Sequence, residues 1–254
     1  MDKKIIEHKD KDMEHIRINK FFSESGITSR READKLVDMK RVTINGILAE
    51  AGSKVSPKDE VRLDGKLINK KDEQIYILLN KPRGIVCTTE KKIKDNIIDY
   101  VGYPKRIFPI GRLDKDSEGL IILTNDGDIV NKILRAGNNH EKEYIVTLDK
   151  PINNEFLSSM ASGVHILDKI TKPCIIKKIN NNTFNIILTE GLNRQIRRMC
   201  QVFDFKVVSL KRIRIMEIKI DNLLLGKWRY LNLEELNSIN RLINASIKTE
   251  EASR

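Results

Sequence analysis

Seven short runs rich in Ile, Leu and Val recur after residue 74, and they do not alternate regularly with helical segments. They read "QIYILLNKP", "LIILT", "EYIVTL", "CIIKKI", "TFNIILT", "KVVSLKRIRIMEIKI" and "WRYLNL". β-Branched runs bounded by polar or turn residues predict strands. Helical spacing appears near 127–136, 152–162 and 193–203. A last helix is predicted from Asn232, where Glu235 completes a cap-like spacing, to about residue 247. Strands that outnumber helices in irregular order point to an α+β fold with a mainly antiparallel mixed β-sheet flanked by helices, not to a doubly wound parallel sheet. The chain also lacks a G-x-G-x-x-G loop and any internal repeat.

Residues 16–64 have a different character. Ile18, Phe21, Phe22 and Ser25 have helical spacing, with Gly26 as the stop. Ser29 and Glu32 form a capping-box signature for a second helix, which buries Ala33, Leu36 and Val37. "VTINGIL" alternates around Asn45-Gly46, the strongest short hairpin signal, and "DEVRLDG" supplies another strand and turn. Residues 1–15 are predicted to be a mobile tail, 65–73 a polar linker, 74–248 a second domain and 249–254 a tail.

Composition excludes several classes. The chain has 254 residues, 40% hydrophobic and 33% charged, and no apolar run approaches the roughly 18 residues of a membrane span. The first residues carry charge but no apolar segment of a secretory signal, and the three cysteines show no paired spacing, so a reducing, cytoplasmic setting is expected. Four scattered histidines offer no zinc pattern. Net charge is +11, and residues 191–214 hold seven Lys/Arg against one acid, Asp204. Such concentrated positive charge suggests a polyanion, most often nucleic acid; a solvated basic face is the alternative.

"GRLDKDSEGLIILTNDGD" at 111–128 places Asp114, Asp116, Glu118 and Gly119 close to a calcium-loop spacing. A calcium loop closes with a Glu at position twelve, where this chain has Asn125, and continues into a helix, where this chain has "LIILT". A two-carboxylate hydrolase needs carboxylates converging at a set distance, and nothing forces Asp114 and Asp116 together. A plain surface turn fits the residues without further context.

The wider order of motifs supplies that context. Residues 16–64 resemble the S4 RNA-binding domain, whose second helix and its basic start contact RNA; the matching positions are Ser29, Arg30, Arg31 and Lys35. "GRLD" with Ser117, "GL" and "LTNDGD" resembles the central motif of pseudouridine synthases of the RsuA type, which carry an N-terminal S4 domain. "LLNKPRGIVCT", "EKEYIVTL", "EGLNRQIRRMC" and "LGKWRYLNLEEL" resemble the family's other motifs in order, so the likeness spans nearly all of 16–240. "RAGNNHEKEY" and "GLNRQIRRMC" are most similar to the subfamily called RluF, which modifies large-subunit ribosomal RNA.

The resemblance implies an isomerisation that frees uracil at N1 and rejoins it through C5, without cofactor or metal. It implies Asp114 as the essential carboxylate, either attacking the anomeric carbon or removing a proton from the neighbouring ribose carbon. It places Arg197 against Asp114, where a guanidinium can hold a carboxylate through two hydrogen bonds, and Tyr144 on the uracil; a core tyrosine is the other reading. Arg112 would contact a phosphate or fill the space of the flipped nucleotide, and Lys142 would pair with the site or face solvent. Arg194, Gln195 and Arg198 fall in the fourth motif, with Arg194 and Arg198 as phosphate contacts; Lys81 and Arg83 would extend that surface. Ser117 and Gly119 would shape the turn presenting Asp114. Extruding the target base costs a few kcal/mol, which phosphate contacts would offset. A monomer acting on ribosomal RNA, away from membranes, is expected. The alternatives are the same chemistry on transfer RNA or 16S ribosomal RNA, or a non-catalytic S4-type RNA-binding or assembly protein.

Overall fold

A computed structural model describes residues 15–69, 74–134 and 139–244. The predicted N-terminal tail up to residue 14, the end of the linker at 70–73, the end of the last helix and the C-terminal tail lie outside the described residues. Two compact units are present. The first holds the described residues up to Ile75 together with Tyr103–Ile107 and Thr124–Gly127; the second holds Tyr76–Gly102, Phe108–Leu123 and the described residues from Asp128 on. The split is therefore not collinear with the predicted linker. Asn125 Oδ1 accepts from the Ile75 backbone N–H at 2.8 Å, which fastens the 124–127 segment to the residue ahead of Tyr76.

In the first unit, β1 (Ile16–Arg17) leads into α1 (Ile18–Glu24), followed by α2 (Arg30–Asp38), β2 (Val42–Ile44), β3 (Ile47–Leu48), β4 (Lys54–Val55), β5 (Val61–Leu63) and β6 (Lys66–Leu67). Ser29 caps α2, its side chain accepting from the Glu32 N–H at 3.2 Å. Asn45 and Gly46 both take positive φ, 52° and 81°, as the tight β2–β3 turn requires. The strands pair antiparallel in the order β3-β2-β5-β6, while β1 pairs β4. Ile18, Phe22, Ala33, Val37, Val42 and Val61 are among the buried residues of one core. That burial consumes the apolar side of both helices, leaving their polar sides outward.

The second unit runs β7 (Tyr76–Lys81), α3 (Ile97–Val101), β8 (Phe108–Pro109), β9 (Glu118–Thr124), α4 (Gly127–Leu134), β10 (Lys142–Leu148) and α5 (Asn154–Ser162). It continues with β11 (His165–Ile166), β12 (Lys169–Ile170), β13 (Ile175–Lys178), β14 (Thr183–Leu188), α6 (Gln195–Val202), β15 (Val207–Ile215), β16 (Ile218–Lys219), β17 (Trp228–Tyr230) and α7 (Leu233–Asn244). The main sheet has the order β13-β14-β10-β15-β9-β7-β17, with β16 on β15 and β8 on β9. β15 runs parallel to β9, and the pairs β10–β14, β10–β15, β13–β14 and β17–β7 are antiparallel. The fold is thus the α+β architecture expected, dominated by antiparallel pairs.

Two local features differ from the sequence reading. The long run after Lys206 is not one strand, because Met216 takes φ 52° and turns β15 back into β16. The five-residue α3 was not anticipated; Asn96 caps it by accepting from the Ile98 and Asp99 N–H groups, and Gly102 ends it in the left-handed region. The central strands are dry: Ile77, Leu78, Leu79 and Leu120 through Leu123 are fully buried. α5 and α6 pack on the sheet through Phe156, Met160, Ile196 and Met199.

Candidate active site

Asp114 sits in the loop between β8 and β9. The Ser117 N–H donates to the Asp114 carbonyl at 3.0 Å and closes a turn, so Ser117 shapes the loop as predicted from the motif. Leu113 is buried and its N–H donates to Cys87 Sγ at 3.4 Å, while the Gly84 N–H donates to the Lys115 carbonyl at 2.8 Å. These contacts fix the backbone on both sides of Asp114 and leave its side chain 28% exposed.

Gly119 does a different job from the one expected of it. It lies in β9, not in the turn, with φ 110°, and a Cβ there would meet the Arg212 carbonyl oxygen at 2.2 Å. Only a residue without a side chain lets β15 approach this closely.

Two guanidinium groups approach the carboxylate from α6 and its cap. Arg194 Nη1 lies 3.4 Å and Arg197 Nε 3.7 Å from Asp114 Oδ2. The expected two-hydrogen-bond clamp of Arg197 on Asp114 is therefore replaced by a looser ion pair. Arg197 spends its other nitrogens on the start of β15 and on the loop: Nη1 donates to the Val207 carbonyl at 3.1 Å, and Nη2 to the Asp116 carbonyl at 3.2 Å and to Ser117 Oγ at 3.3 Å. Burial, then the neighbouring Arg194, pushes Arg197 below its ordinary value, with Asp114 opposing. A guanidinium remains a cation despite such a shift. Arg194, expected on a phosphate, is the nearer cation to Asp114; it has φ 51° at the start of α6.

Two further expectations are corrected. Lys81 does not extend a phosphate surface: it is fully buried, and its Nζ donates to the carbonyls of Ser117 at 2.8 Å and Pro82 at 2.9 Å. Its place at the end of β7, where all six residues are buried, dictates this. Gln195 is also buried and cannot reach RNA; Nε2 donates to Glu190 Oε1 at 2.7 Å and Oε1 accepts from the Leu192 N–H at 3.0 Å. It latches the 190–195 turn that carries Arg194. Arg198 likewise donates to the Asn193 carbonyl at 3.1 Å and braces the same turn. Arg83 is exposed and donates to the Val208 carbonyl at 2.7 Å.

A cavity of about 930 Å³ opens beside Asp114, lined by Arg112, Lys142, Tyr144, Arg194 and Arg212 among others. Lys142 and Tyr144 stand two apart on β10 and so share a face. Tyr144 is half-buried and pairs across the ladder with Arg212. Lys142 Nζ donates to the His140 carbonyl at 2.8 Å, and desolvation, followed by Arg212, pushes the amine down to about 8. It therefore lies in the cavity wall, not in solvent. Arg112 is exposed at the cavity's edge. Burial pushes Cys87 up, Cys174 to about 11 and Cys200 to about 12, so these thiols are protonated at neutral pH and are poor nucleophiles.

Arg212 was missed as a site residue because its charge was read as part of a basic surface. It is 4% exposed, and its Nε donates to the Leu120 carbonyl at 2.7 Å. The alternation of Leu210 and Arg212 in a strand was the available signal. The cations of 191–214 do not form one face: Arg214, for example, is paired with Glu141 and Glu143. In the first unit, Ser29, Arg30, Arg31 and Lys35 are all exposed along the start of α2, and Lys35 Nζ lies 3.4 Å from Glu32.

Comparison with known proteins places the chain in a family. Residues 75–202 match the model of the RNA pseudouridylate synthases, and residues 16–61 match the S4 domain. A protein of Salmonella typhi named dual-specificity RNA pseudouridine synthase RluF is 54% identical over 232 residues, covering 91% of this chain and 80% of that protein. An uncharacterized RNA pseudouridine synthase of Aquifex aeolicus is 38% identical over 243 residues, covering 91% of this chain and 96% of the relative. A crystal structure of a pseudouridylate synthase superposes with TM-score 0.65 at 31% identity, covering 88% of this chain and 99% of the other. The chain belongs to the RNA pseudouridylate synthase family and is an RNA pseudouridine synthase that carries an S4 domain ahead of its synthase domain.

Proposed function

We propose that this enzyme converts a uridine of large-subunit ribosomal RNA to pseudouridine, with Asp114 as its single catalytic carboxylate. The observation that carries this reading is the placement of Asp114: a partly exposed carboxylate lining a cavity of about 930 Å³, ample for a nucleotide, in a loop pinned on both sides, with two guanidinium groups within 4 Å. Those cations compensate the carboxylate's charge in a partly desolvated cavity. The fixed loop spares the enzyme the entropy of orienting the carboxylate at the ribose carbon. Tyr144, on the cavity wall, packs on the extruded uracil, and Arg112 at the edge contacts the nucleotide's phosphate or fills its vacated place. Ser29, Arg30, Arg31 and Lys35 of the S4 domain, with Arg83 in the synthase domain, bind the RNA backbone and position the site. The dual-specificity name of the RluF relatives favours a second RNA substrate as well.

Asp114→Asn removes the charge but keeps the size. Pseudouridine formation on transcribed ribosomal RNA should vanish while RNA binding persists. Retained turnover in this variant would sink the assignment. Pseudouridine mapping of ribosomal RNA from a deletion strain names the uridine.

A further inference from the structure

Arg212 and Lys142 pose a charge problem that the roles above do not use. Both side chains line the cavity beside Asp114, from adjacent strands β15 and β10. Neither forms an ion pair among the described residues. Lys142 donates to one backbone carbonyl, His140, and Arg212 donates to another, Leu120. Arg212 Nη2 is buried and has no hydrogen-bond partner among the described residues. Two desolvated cations side by side, satisfied only by neutral carbonyls, are costly unless an anion visits the cavity. The arrangement is also rigid. Arg212 lies in the middle of the sheet, and Gly119 lets β9 press against its backbone. Rigid donors aimed at one place are the design of an electrostatic catalyst.

We propose that Lys142 and Arg212 cradle the uracil ring itself and receive the negative charge that the base carries while it is detached from the ribose. In the reaction, the N1–C1′ bond breaks and its electron pair leaves with the base. The uracil is then an anion, with charge spread over N1, O2 and O4. This holds whether Asp114 attacks C1′ or takes the proton from C2′. When C5 attacks C1′, the Asp114 carboxylate is displaced from C1′ on the first route, and the proton it took is returned to C2′ on the second; C5 then loses its proton and N1 gains one. No atom or electron is gained overall. The two cations would therefore contact the base oxygens, on a wall of the cavity distinct from the ribose-facing carboxylate.

The inference rests on the uridine-isomerising role proposed above, and the experiment separates the two. Lys142→Met and the conservative Arg212→Lys are compared with wild type in single turnover. Scission of the glycosidic bond is followed on an RNA carrying uridine and on the same RNA carrying 5-fluorouridine at the target. Fluorine makes the departing base more acidic, so it needs less help from a cation. On uridine each variant should lose roughly 100-fold in scission rate, the usual effect of removing one such donor, with RNA affinity nearly unchanged. On 5-fluorouridine the loss should shrink several-fold. Equal losses on both RNAs would overturn the proposal. So would a scission rate that persists while affinity falls and the salt dependence of binding flattens, because the cations would then hold a phosphate. If Arg212→Lys does not fold, Lys142→Met carries the same comparison alone. Scission retained in Asp114→Asn defeats the Asp114 assignment instead, and is read independently of the ratio between the two RNAs.

Discussion

The S4 unit and the synthase unit use the same residue types in opposite ways. In the first, Arg30, Arg31 and Lys35 stand exposed on α2, and nothing in the core depends on them. In the second, Lys81 and Arg212 are buried, and Arg197 is largely shielded, with 14% of its side chain exposed. Each gives at least one donor to a backbone carbonyl of the loop and strands around Asp114, and Arg212 Nη2 has no hydrogen-bond partner among the described residues. An exposed cation acts through a screened field and attracts phosphate from any direction. An inward cation acts through direction, at fixed distances, in a medium where charge counts for more. Affinity and turnover should therefore fail separately when cations of the two units are removed.

Arg197→Ala tests this with the largest expected effect. The substitution leaves the carbonyls of Asp116 and Val207 without their donor and takes one of the two cations from Asp114. The single-turnover rate should fall by roughly 10²–10³-fold, as for other fixed donors in active sites. RNA affinity, read by filter binding, should change by no more than a few-fold. A variant that binds poorly but still turns over at saturating RNA would move Arg197 to the surface class and break the contrast.

The next effect is a pH dependence with two signs. Lys142 is held at about 8, chiefly by desolvation and then by Arg212, below its value in the unfolded chain. If the reaction needs Lys142 as a cation, its loss of the proton as pH rises through 8 should make the rate fall roughly tenfold per unit beyond that point. Stability moves the other way. Between pH 8 and about 10.4 the unfolded state binds the proton that the folded state has released, so this group makes unfolding less favourable as pH rises through that window. Lys142→Met should remove both limbs, measured as rate and as Tm between pH 7 and 10. A rate limb that survives in the variant would assign the titration to another group.

In the S4 unit, Arg30→Ala combined with Arg31→Ala should weaken RNA binding about tenfold at moderate salt. It should flatten the dependence of log K on log salt by one to two units in slope, roughly 0.7–0.9 for each phosphate no longer neutralised. At saturating RNA the single-turnover rate should match wild type. A lost rate with an unchanged slope would mean that these arginines shape the active complex and do not merely tether it.

Much of the frame was legible because its signals are local. Asn45-Gly46 carries its turn with it, Ser29 meets the N–H three residues on, and the β-branched runs became β7, β9, β10, β14 and β15. The order of motifs singled out Asp114, and the structure sets it in the cavity wall beside Arg194 and Arg197. The inward cations were not legible, because Lys and Arg carry the same letters whether solvated or buried, and their partners are remote in sequence. Arg212 meets Leu120 across 92 positions, Arg197 meets Asp116 across 81, and Lys81 meets Ser117 across 36. Only the strand order brings them together. α3 escaped notice for another reason, since five residues are too few to show a helical period.

The smallest expected effect is also the finest test of the contrast. Lys35 Nζ lies 3.4 Å from Glu32, with 64% and 53% of the two side chains exposed, so the pair is a solvated one. Such pairs contribute less than about 1 kcal/mol and are screened by salt. Lys35→Gln should therefore leave Tm almost unchanged. If Lys35 gives up Glu32 for a phosphate when RNA arrives, the same substitution should lower the salt slope by about one unit and affinity by a few-fold. The opposite pattern, a lower Tm with an unaltered slope, would make Lys35 a brace for α2. The two units would then differ only in how deeply their cations are buried, not in what those cations do.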